Sequence, residues 1–189
     1  MTGKFTICSA ANAPYFYMLK DMIESALGGR PPGAINFSIL DLGLEEEQRD
    51  WLTNHGATLA VPGWDIEFPG REQTPGWFRA MTGRPMLRDY FPGYETYMWI
   101  DADIWVQDTN CIAHYIQTAE RFGAAITPEI DRSYRSLRGE NEIMNMHYNA
   151  YKSSFGEELA DELIRQPILN SGGFAMQANH DAWDKWRAV

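Results

Sequence analysis

The sequence predicts an α/β protein with a mainly parallel central sheet flanked by helices. Apolar runs of strand length alternate with amphipathic stretches of helix length, and this alternation is typical of parallel sheets with crossover helices. The composition also indicates a folded core, because 44% of the 189 residues are hydrophobic and 13% are aromatic. A chain of this length is most simply one domain, which we expect to span residues 1–189.

Five elements are expected in the first third of the chain. A helix opens at Pro14 and is ended by Gly28 and Gly29. Its apolar stripe, at helical spacing, consists of Tyr15, Met18, Leu19, Met22, Ile23, Ala26 and Leu27. Around this helix the apolar pattern predicts strands over 4–10, 35–42 and 57–61 and a short acidic helix over 44–55.

From residue 62 to residue 76 the chain is rich in Pro, Gly and Trp, which predicts a long surface loop. A helix predicted over 77–91 is broken at Gly83 and Pro85. Late in the chain, Gly172 and Gly173 are expected to interrupt a strand over 168–176. The remaining predicted elements are strands over 96–100 and 124–127 and helices over 110–122, 140–155, 157–165 and 180–187.

The charge and the cysteine content argue against several classes of protein. A net charge of −10 and a pI near 4.8 disfavour non-specific nucleic-acid binding and attraction to anionic membranes. Cys8 and Cys111 are far apart in sequence, which gives neither a zinc spacing nor a disulfide framework. The sequence contains no recognisable signal peptide or membrane span, so we expect reduced thiols and a cytoplasmic location.

The most informative stretch runs from Tyr97 to Val106, where Asp101 and Asp103 close an apolar run typical of a buried strand. Charged side chains are rarely buried without a partner, so two carboxylates at a strand end need a compensating positive charge. A divalent cation is the simplest one, and Mg²⁺ or Mn²⁺ bound there would also hold a ligand diphosphate. The alternative is a solvated turn, because Asp favours turns.

Three segments together resemble the nucleotide-sugar glycosyltransferases of the GT-A fold. The resemblance is strongest to family 8, the glycogenin and lipopolysaccharide galactosyltransferase group. The segments are Ile7–Tyr15 opening a helix, Arg84–Phe91 followed by Tyr97–Asp103, and Ile168–Phe174 with its Asn-Ser-Gly. Their order and spacing match the family over most of the chain. The resemblance implies a Rossmann-like nucleotide-sugar-binding domain.

The central segment would carry the metal and the donor diphosphate. The resemblance implies that Asp101 and Asp103 bind Mn²⁺ or Mg²⁺, and that Ala102 between them is small enough to let the ribose approach. Arg84 and Arg88 are four residues apart and share a face if that stretch is helical. By resemblance they face the diphosphate or the donor sugar, as Arg suits bidentate phosphate recognition. The alternative is a surface pair facing neighbouring carboxylates, either Asp89 or Glu95.

The two outer segments would carry the rest of the donor. The resemblance implies that Ala10, Asn12 and Tyr15 hold the base and ribose, and that Asn170, Ser171 and Gly172 touch donor-sugar hydroxyls. Two structural alternatives stay open for the first segment: Asn12 caps the helix, and Tyr15 packs in the apolar stripe. In the last segment the glycines permit backbone conformations and close contacts that other residues forbid. The alternative for this segment is a bulged strand end.

Two parts of the family pattern have no counterpart in this sequence. The family's third metal ligand, a His followed by Gly and Lys-Pro-Trp, is missing, and so is an Asp-Gln pair beside the reacting carbon. We therefore expect either a chain truncated at its C-terminus or a compact variant with altered catalytic parts. No catalytic residue is assigned, and the carboxylates Glu129, Asp131 and Asp181 are candidates for a general base by residue type alone.

The sequence thus predicts a metal-dependent glycosyltransferase that moves a sugar from a nucleotide diphosphate donor, with UDP as the expected nucleotide. The acceptor would be a hydroxyl of a glycan, a lipid-linked glycan or a protein, and retention of configuration follows from the resemblance alone. Two alternatives are a non-catalytic nucleotide-sugar or glycan-binding module with a degenerate transferase fold and a sugar nucleotidyltransferase. A phosphatase of the haloacid dehalogenase type is disfavoured, because its Asp-x-Asp lies on the first strand.

Overall fold

The computed structural model describes residues 4–128 and 140–188. Its strands are β1 (Phe5–Ala11), β2 (Phe37–Asp41), β3 (Ala57–Ala60), β4 (Thr96–Ile100), β5 (Ala124–Pro128) and β6 (Leu169–Gln177). Its α-helices are α1 (Phe16–Leu27), α2 (Glu46–Asn54), α3 (Arg79–Gly83), α4 (Leu87–Tyr90), α5 (Asn110–Phe122), α6 (Glu140–Phe155), α7 (Glu157–Leu163) and α8 (Ala182–Arg187). Single 3-10 turns cover Ala13–Tyr15, Arg71–Gln73, Gly76–Phe78 and Arg84–Met86.

The six strands form one sheet in the order β3-β2-β1-β4-β6-β5. β1 pairs in parallel with both β2 and β4, and β2 pairs in parallel with β3. β6 runs antiparallel to β4. The predicted α/β architecture with a mainly parallel sheet is therefore confirmed. Because parallel strands point the same way, the carboxyl ends of β1, β2 and β4 share one edge of the sheet, where ligands of such sheets bind.

Alternation along the strands builds two hydrophobic clusters, one on each face of the sheet. On β1, Ile7 belongs to the first cluster and Cys8 to the second. The first cluster also contains the apolar stripes of α1 and α5, and the second contains Leu87 of α4 and Trp183 of α8. Cys8 and Cys111 are both free, and burial raises the pKa of the Cys8 thiol far above its usual range.

The end of α1 needs glycine for two reasons. Gly28 has a positive φ of 55°, and its N–H donates to the carbonyl oxygens of Glu24 and Ser25, at 3.2 and 3.1 Å. A Cβ at this position would also lie 2.6 Å from Cγ2 of Thr109. The predicted stop at Gly28 is thus confirmed, and the same glycine allows the chain beyond β4 to pass close to α1.

Two local predictions were wrong, and a third was confirmed only in part. Tyr15 is 56% exposed and does not join the buried stripe of α1, because it lies in the 3-10 turn that precedes the helix. The stretch predicted as a helix over 77–91 breaks at Gly83 and Pro85 as predicted, because α3 ends at Gly83 and Pro85 lies in a 3-10 turn, but it is divided among four short pieces. β6 runs without interruption through its two glycines: Gly173 lies opposite Ile100 in regular antiparallel register. Pairing with β4 holds this stretch extended and outweighs the low strand propensity of glycine.

The chain divides into two compact units. The first contains the residues up to Ala125 and those from Gly172 onward, and the second is Ile126–Ser171. Within the second unit, Lys152 Nζ lies 2.9 Å from Glu157 Oε1, and Tyr148 donates a hydrogen bond of 3.1 Å to Asp161. Among the residues described, no helix has the length and hydropathy needed to span a membrane.

Candidate functional site

The chain leaves β4 through a tight turn that starts at Asp101. The N–H of Ile104 donates to the carbonyl oxygen of Asp101 at 3.1 Å, and this bond closes the turn. The N–H of Asp101 donates to the carbonyl oxygen of Gly172 on β6 at 2.8 Å. The first carboxylate of the Asp-x-Asp pair is therefore fixed at the carboxyl end of β4 by backbone bonds on both sides.

Two side chains hold the carboxylate of Asp101. Its Oδ1 accepts a hydrogen bond from Arg84 Nη2 at 2.6 Å and another from Trp99 Nε1 at 2.6 Å. Trp99 lies two residues earlier on β4, so its side chain and that of Asp101 project to the same face of the sheet. Hydrogen bonds to an ionised group are short and strong, and this pair fixes the carboxylate in one orientation.

Arg84 is buried, with only 5% of its side chain exposed, and its guanidinium lies 4.4 Å from the centre of the Trp99 ring. Burial lowers the pKa of Arg84, and the charge of Asp101 opposes that change. A guanidinium stays protonated in proteins even so. The sequence predicts that a divalent cation compensates the charge of these carboxylates. For Asp101, the buried Arg84 supplies the compensating positive charge.

The second carboxylate has a different environment. Asp103 is exposed, while Ala102 and Ile104 on either side are partly buried and pack against the first cluster. Beyond the turn, the N–H of Val106 donates to Ser25 Oγ at 3.0 Å, which ties the chain to α1. The Asp103 carboxylate thus faces solvent on a turn whose two ends are anchored.

The end of β1 lies beside that of β4 at the same edge. Asn12 Oδ1 accepts a hydrogen bond of 3.3 Å from the N–H of Tyr15, so the predicted cap is confirmed, although it caps a 3-10 turn. The N–H of Ala13 donates to the carbonyl oxygen of Gly43 at 3.0 Å. Ala10 is partly buried against the second cluster, whereas Tyr15 is 56% exposed.

Arg88 does not share the position of Arg84. The two residues lie in separate elements, the 3-10 turn and α4, so the single helical face expected for them is wrong. Arg88 Nη1 donates to the carbonyl oxygen of Ala178 at 2.9 Å, and Nη2 pairs with Asp184 at 2.5 Å. The partner of Arg88 is therefore on α8, rather than Asp89 or Glu95.

The Asn-Ser-Gly segment lies at the start of β6. Asn170 and Ser171 are exposed and belong to the second unit, while Gly172 is buried in the first and bonds Asp101. The expectation that these glycines provide unusual backbone conformations is wrong, since neither Gly172 nor Gly173 has a positive φ. A Cβ on Gly173 would meet Tyr115 Oη at 3.7 Å, an ordinary contact.

Of the three candidate general bases, only Asp181 lies among the described residues, and its contacts do not support the role. Asp181 is an exposed residue whose Oδ2 lies 2.6 Å from Lys185 Nζ, and the hydrogen bond from Lys185 lowers the pKa of Asp181. A lowered pKa makes a carboxylate a weaker base. Glu129 and Asp131 lie outside the described residues.

Within residues 4–128 and 140–188, no three His, Cys, Asp or Glu side chains form a group that could hold a metal ion by themselves. Asp101 and Asp103 offer carboxylate oxygens, the ligand type that Mg²⁺ and Mn²⁺ prefer. Such ions commonly take one or two protein carboxylates and complete their shell with water and phosphate oxygens. The pair therefore fits a cation shared with a phosphate ligand, and does not fit a cage built from protein alone.

Sequence reasoning missed the role of Trp99. The signal was present, because residues two apart on a strand share a face and an indole N–H can donate to a carboxylate. The contacts that α8 makes with the segment 84–90 were also missed. No local pattern marks them, because the partners are about a hundred residues apart in the sequence.

Comparison with known proteins shows that the fold of this chain is similar to that of solved structures. No family model matches the sequence, and no curated protein was found to match it. Among solved structures, the galactosyltransferase LgtC in complex with donor and acceptor sugar analogues superposes with a TM-score of 0.58 at 16% identity, over 97% of this chain and 60% of LgtC. The bifunctional glycosyltransferase WbbM gives 0.59 at 11% identity, over 100% of this chain and 34% of WbbM.

A third neighbour is glucosyl-3-phosphoglycerate synthase from Mycobacterium tuberculosis, in complex with Mn²⁺, UDP and glucosyl-3-phosphoglycerate. Its TM-score is 0.56 at 14% identity, over 93% of this chain and 57% of the synthase. The chain thus spans three fifths or less of the length of each of these three proteins. All three are GT-A glycosyltransferases. The sheet order, the strand-end carboxylates and these superpositions together show that the chain has the GT-A fold.

Proposed function

We propose that this chain transfers a sugar from a nucleoside diphosphate donor, with UDP as the nucleotide, to a hydroxyl acceptor, and that the reaction depends on a divalent cation. The observation that carries the proposal is the Asp101 carboxylate at the carboxyl end of β4, held at 2.6 Å by the buried Arg84. The fold shared with LgtC and glucosyl-3-phosphoglycerate synthase supports it. Retention of configuration remains a prediction from the resemblance to family 8.

The proposed roles follow the contacts. Arg84 and Trp99 hold the Asp101 carboxylate in one orientation, and Asp103 presents a second carboxylate to solvent. A bound Mg²⁺ or Mn²⁺ would neutralise charge developing on the diphosphate leaving group. Because Arg84 and Trp99 orient the Asp101 carboxylate through contacts within the chain, little of the binding free energy should be spent on ordering it.

Four further residues complete the proposed donor site on the nucleotide side. Ala10, Asn12 and Tyr15 are proposed to contact the base and ribose, and Ala102 leaves space for the ribose. The 56% exposure of Tyr15 supports a stacking role for its aromatic ring.

Asn170, Ser171 and Gly172 are proposed to contact the donor sugar. An amide offers both a donor and an acceptor, which suits a sugar hydroxyl. Arg88 is the weakest of the proposed donor contacts, because Asp184 and the carbonyl of Ala178 already occupy its guanidinium.

The test is calorimetric titration of UDP with and without Mn²⁺. We expect Mn²⁺ to tighten UDP binding by at least about tenfold, and we expect Asp103→Asn to abolish that gain with the fold intact. Asp108→Asn is the matched control: it removes one charge from the same exposed loop and retains the oxygen that accepts from the N–H of Asn110 at 2.9 Å. Equal UDP affinities in the presence and absence of Mn²⁺ would contradict the proposed site.

Transfer is tested separately from binding. The protein is incubated with a panel of UDP-sugars and Mn²⁺, and release of UDP with and without glycan acceptors is measured. A glycosyltransferase releases UDP faster when its acceptor is present. Tight UDP binding with no release from any member of the panel would identify a non-catalytic nucleotide-sugar-binding module instead.

A further inference from the structure

The segment that carries Arg84 is made of pieces too short to hold themselves in place. Arg84 opens a three-residue 3-10 turn, and the four-residue α4 follows directly. Isolated helices of this length are not stable in water, because the cost of nucleation exceeds the gain from one or two hydrogen bonds. The position of the Arg84 backbone therefore depends on contacts made by other parts of the chain.

Arg187 on α8 makes contacts of this kind with both pieces. Its Nε donates to the carbonyl oxygen of Pro85, the residue after Arg84, at 3.0 Å. Its Nη2 pairs with Asp89 of α4 at 2.6 Å. The rigid planar guanidinium can make both bonds at fixed angles, which a lysine ammonium cannot reproduce. One side chain thus links the turn that carries Arg84 to the helix that follows it.

The helix that carries Arg187 is itself firmly held. Trp183 of α8 is fully buried, and its Nε1 donates to the carbonyl oxygen of Gln177 at the end of β6 at 2.9 Å. Arg88 reaches back from α4 to Asp184 and to the carbonyl of Ala178. α8 therefore connects the end of β6 to the segment 84–90 through two arginines. Arg187 reaches from α8 to that segment, and Arg88 reaches from α4 to α8.

We infer that Arg187 is a positioning residue for the donor site, and that it acts by fixing the backbone from which Arg84 reaches Asp101. Arg187 contacts Pro85 and Asp89, so its effect on the site passes through Arg84. The expected effect of Arg187 on nucleotide binding rests on the proposed function. Its expected effect on the contact between Arg84 and Asp101 does not depend on that function.

The first test is an NMR measurement that needs no ligand. The Trp99 indole N–H bonds Asp101 and its ring lies beneath Arg84, so its resonance reports on both. The peak is assigned from its loss in Trp99→Phe. We expect Arg187→Met to move it and Arg187→Lys to move it less. The matched control is Lys185→Met on the same helix, whose side chain is 76% exposed and pairs with Asp181.

An unmoved Trp99 resonance in folded Arg187→Met would overturn the inference, and so would an equal shift in Lys185→Met. Should Arg187→Met fail to fold, Asp89→Asn replaces it. That variant removes the charge pairing and retains the bond from Arg187 to the carbonyl of Pro85, and it alters an exposed side chain. A smaller shift of the Trp99 peak than in Arg187→Met is expected, because the bond to Pro85 remains, and an unmoved peak would count against the inference.

The second test is a double-mutant cycle on UDP affinity in the presence of Mn²⁺. We expect Arg187→Met to weaken binding about fivefold, and Arg84→Met to weaken it more. The double variant should bind like Arg84→Met alone, because Arg187 acts through Arg84. Additive losses would overturn the inference. If the wild-type protein binds no UDP, the proposed function fails, and the Trp99 resonance still decides the role of Arg187.

Discussion

The ends of β1 and β4 are neighbours on one edge of the sheet, yet different forces hold them. At the end of β4, Asp101 is fixed by Arg84 and Trp99 in a partly buried charged cluster. At the end of β1, the turn is held by the Asn12 cap and by a backbone bond to Gly43, and Tyr15 is exposed. Electrostatic contacts in a low-dielectric setting are strong, whereas an exposed cap contributes little.

This contrast matches the two parts of the proposed donor. A diphosphate and its cation are recognised by charges at fixed positions, so the side chains that bind them must be held rigidly. A base and a ribose are recognised by stacking and a few hydrogen bonds, which an exposed aromatic side chain provides. The difference predicts that substitutions at the end of β4 cost more stability than those at the end of β1.

The largest loss of stability is expected for Arg84→Met. Removing one partner of a buried ion pair leaves the other uncompensated. Because the Asp101 side chain is 34% exposed, water compensates part of that loss, and we expect unfolding to require about 2 kcal/mol less free energy. Urea denaturation measures the change. The variant that carries both Arg84→Met and Asp101→Asn should recover part of it, and no recovery would mean that the pair is not coupled.

A smaller loss is expected for Trp99→Phe. This change keeps an aromatic ring beneath Arg84 and removes the indole N–H that donates to Asp101. Loss of one hydrogen bond to a charged group costs about 1.5 kcal/mol. The urea midpoint should fall with an unchanged slope. A loss as large as that of Arg84→Met would mean that ring packing, rather than the hydrogen bond, dominates at this position.

The smallest loss is expected at the end of β1. Asn12→Ala removes the cap from a three-residue turn and should cost about 0.5 kcal/mol, because the bond is long at 3.3 Å and exposed. Tyr15→Leu serves as the control and should leave the free energy of unfolding nearly unchanged, since more than half of Tyr15 is exposed. Thermal unfolding of both variants measures the two losses of stability. A larger loss for Tyr15→Leu than for Asn12→Ala would contradict the prediction.

Much of the local structure was predictable from the sequence. β4 spans Thr96–Ile100 and α5 spans Asn110–Phe122, as the apolar pattern indicates. Gly28 ends α1 where predicted. These features depend on side-chain periodicity and on glycine conformation, which are local properties of the chain. Asp101 at the end of β4 follows from the same pattern, so the position of the candidate site was accessible as well.

The partners across the fold were not predictable in this way. The antiparallel direction of β6 and the salt bridge between Arg187 and Asp89 join residues far apart in sequence. The sequence expects a cation beside Asp101, but packing of the segment 84–90 against α8 decides that Arg84 supplies the charge there.

Periodicity and turn chemistry in the sequence by themselves determined the alternating α/β elements and the strand-end carboxylates. Only the tertiary structure decided which charged side chains form ion pairs with each other. The physical reason is that an ion pair forms where packing brings two groups together and excludes water from them, and neither condition is encoded in neighbouring residues.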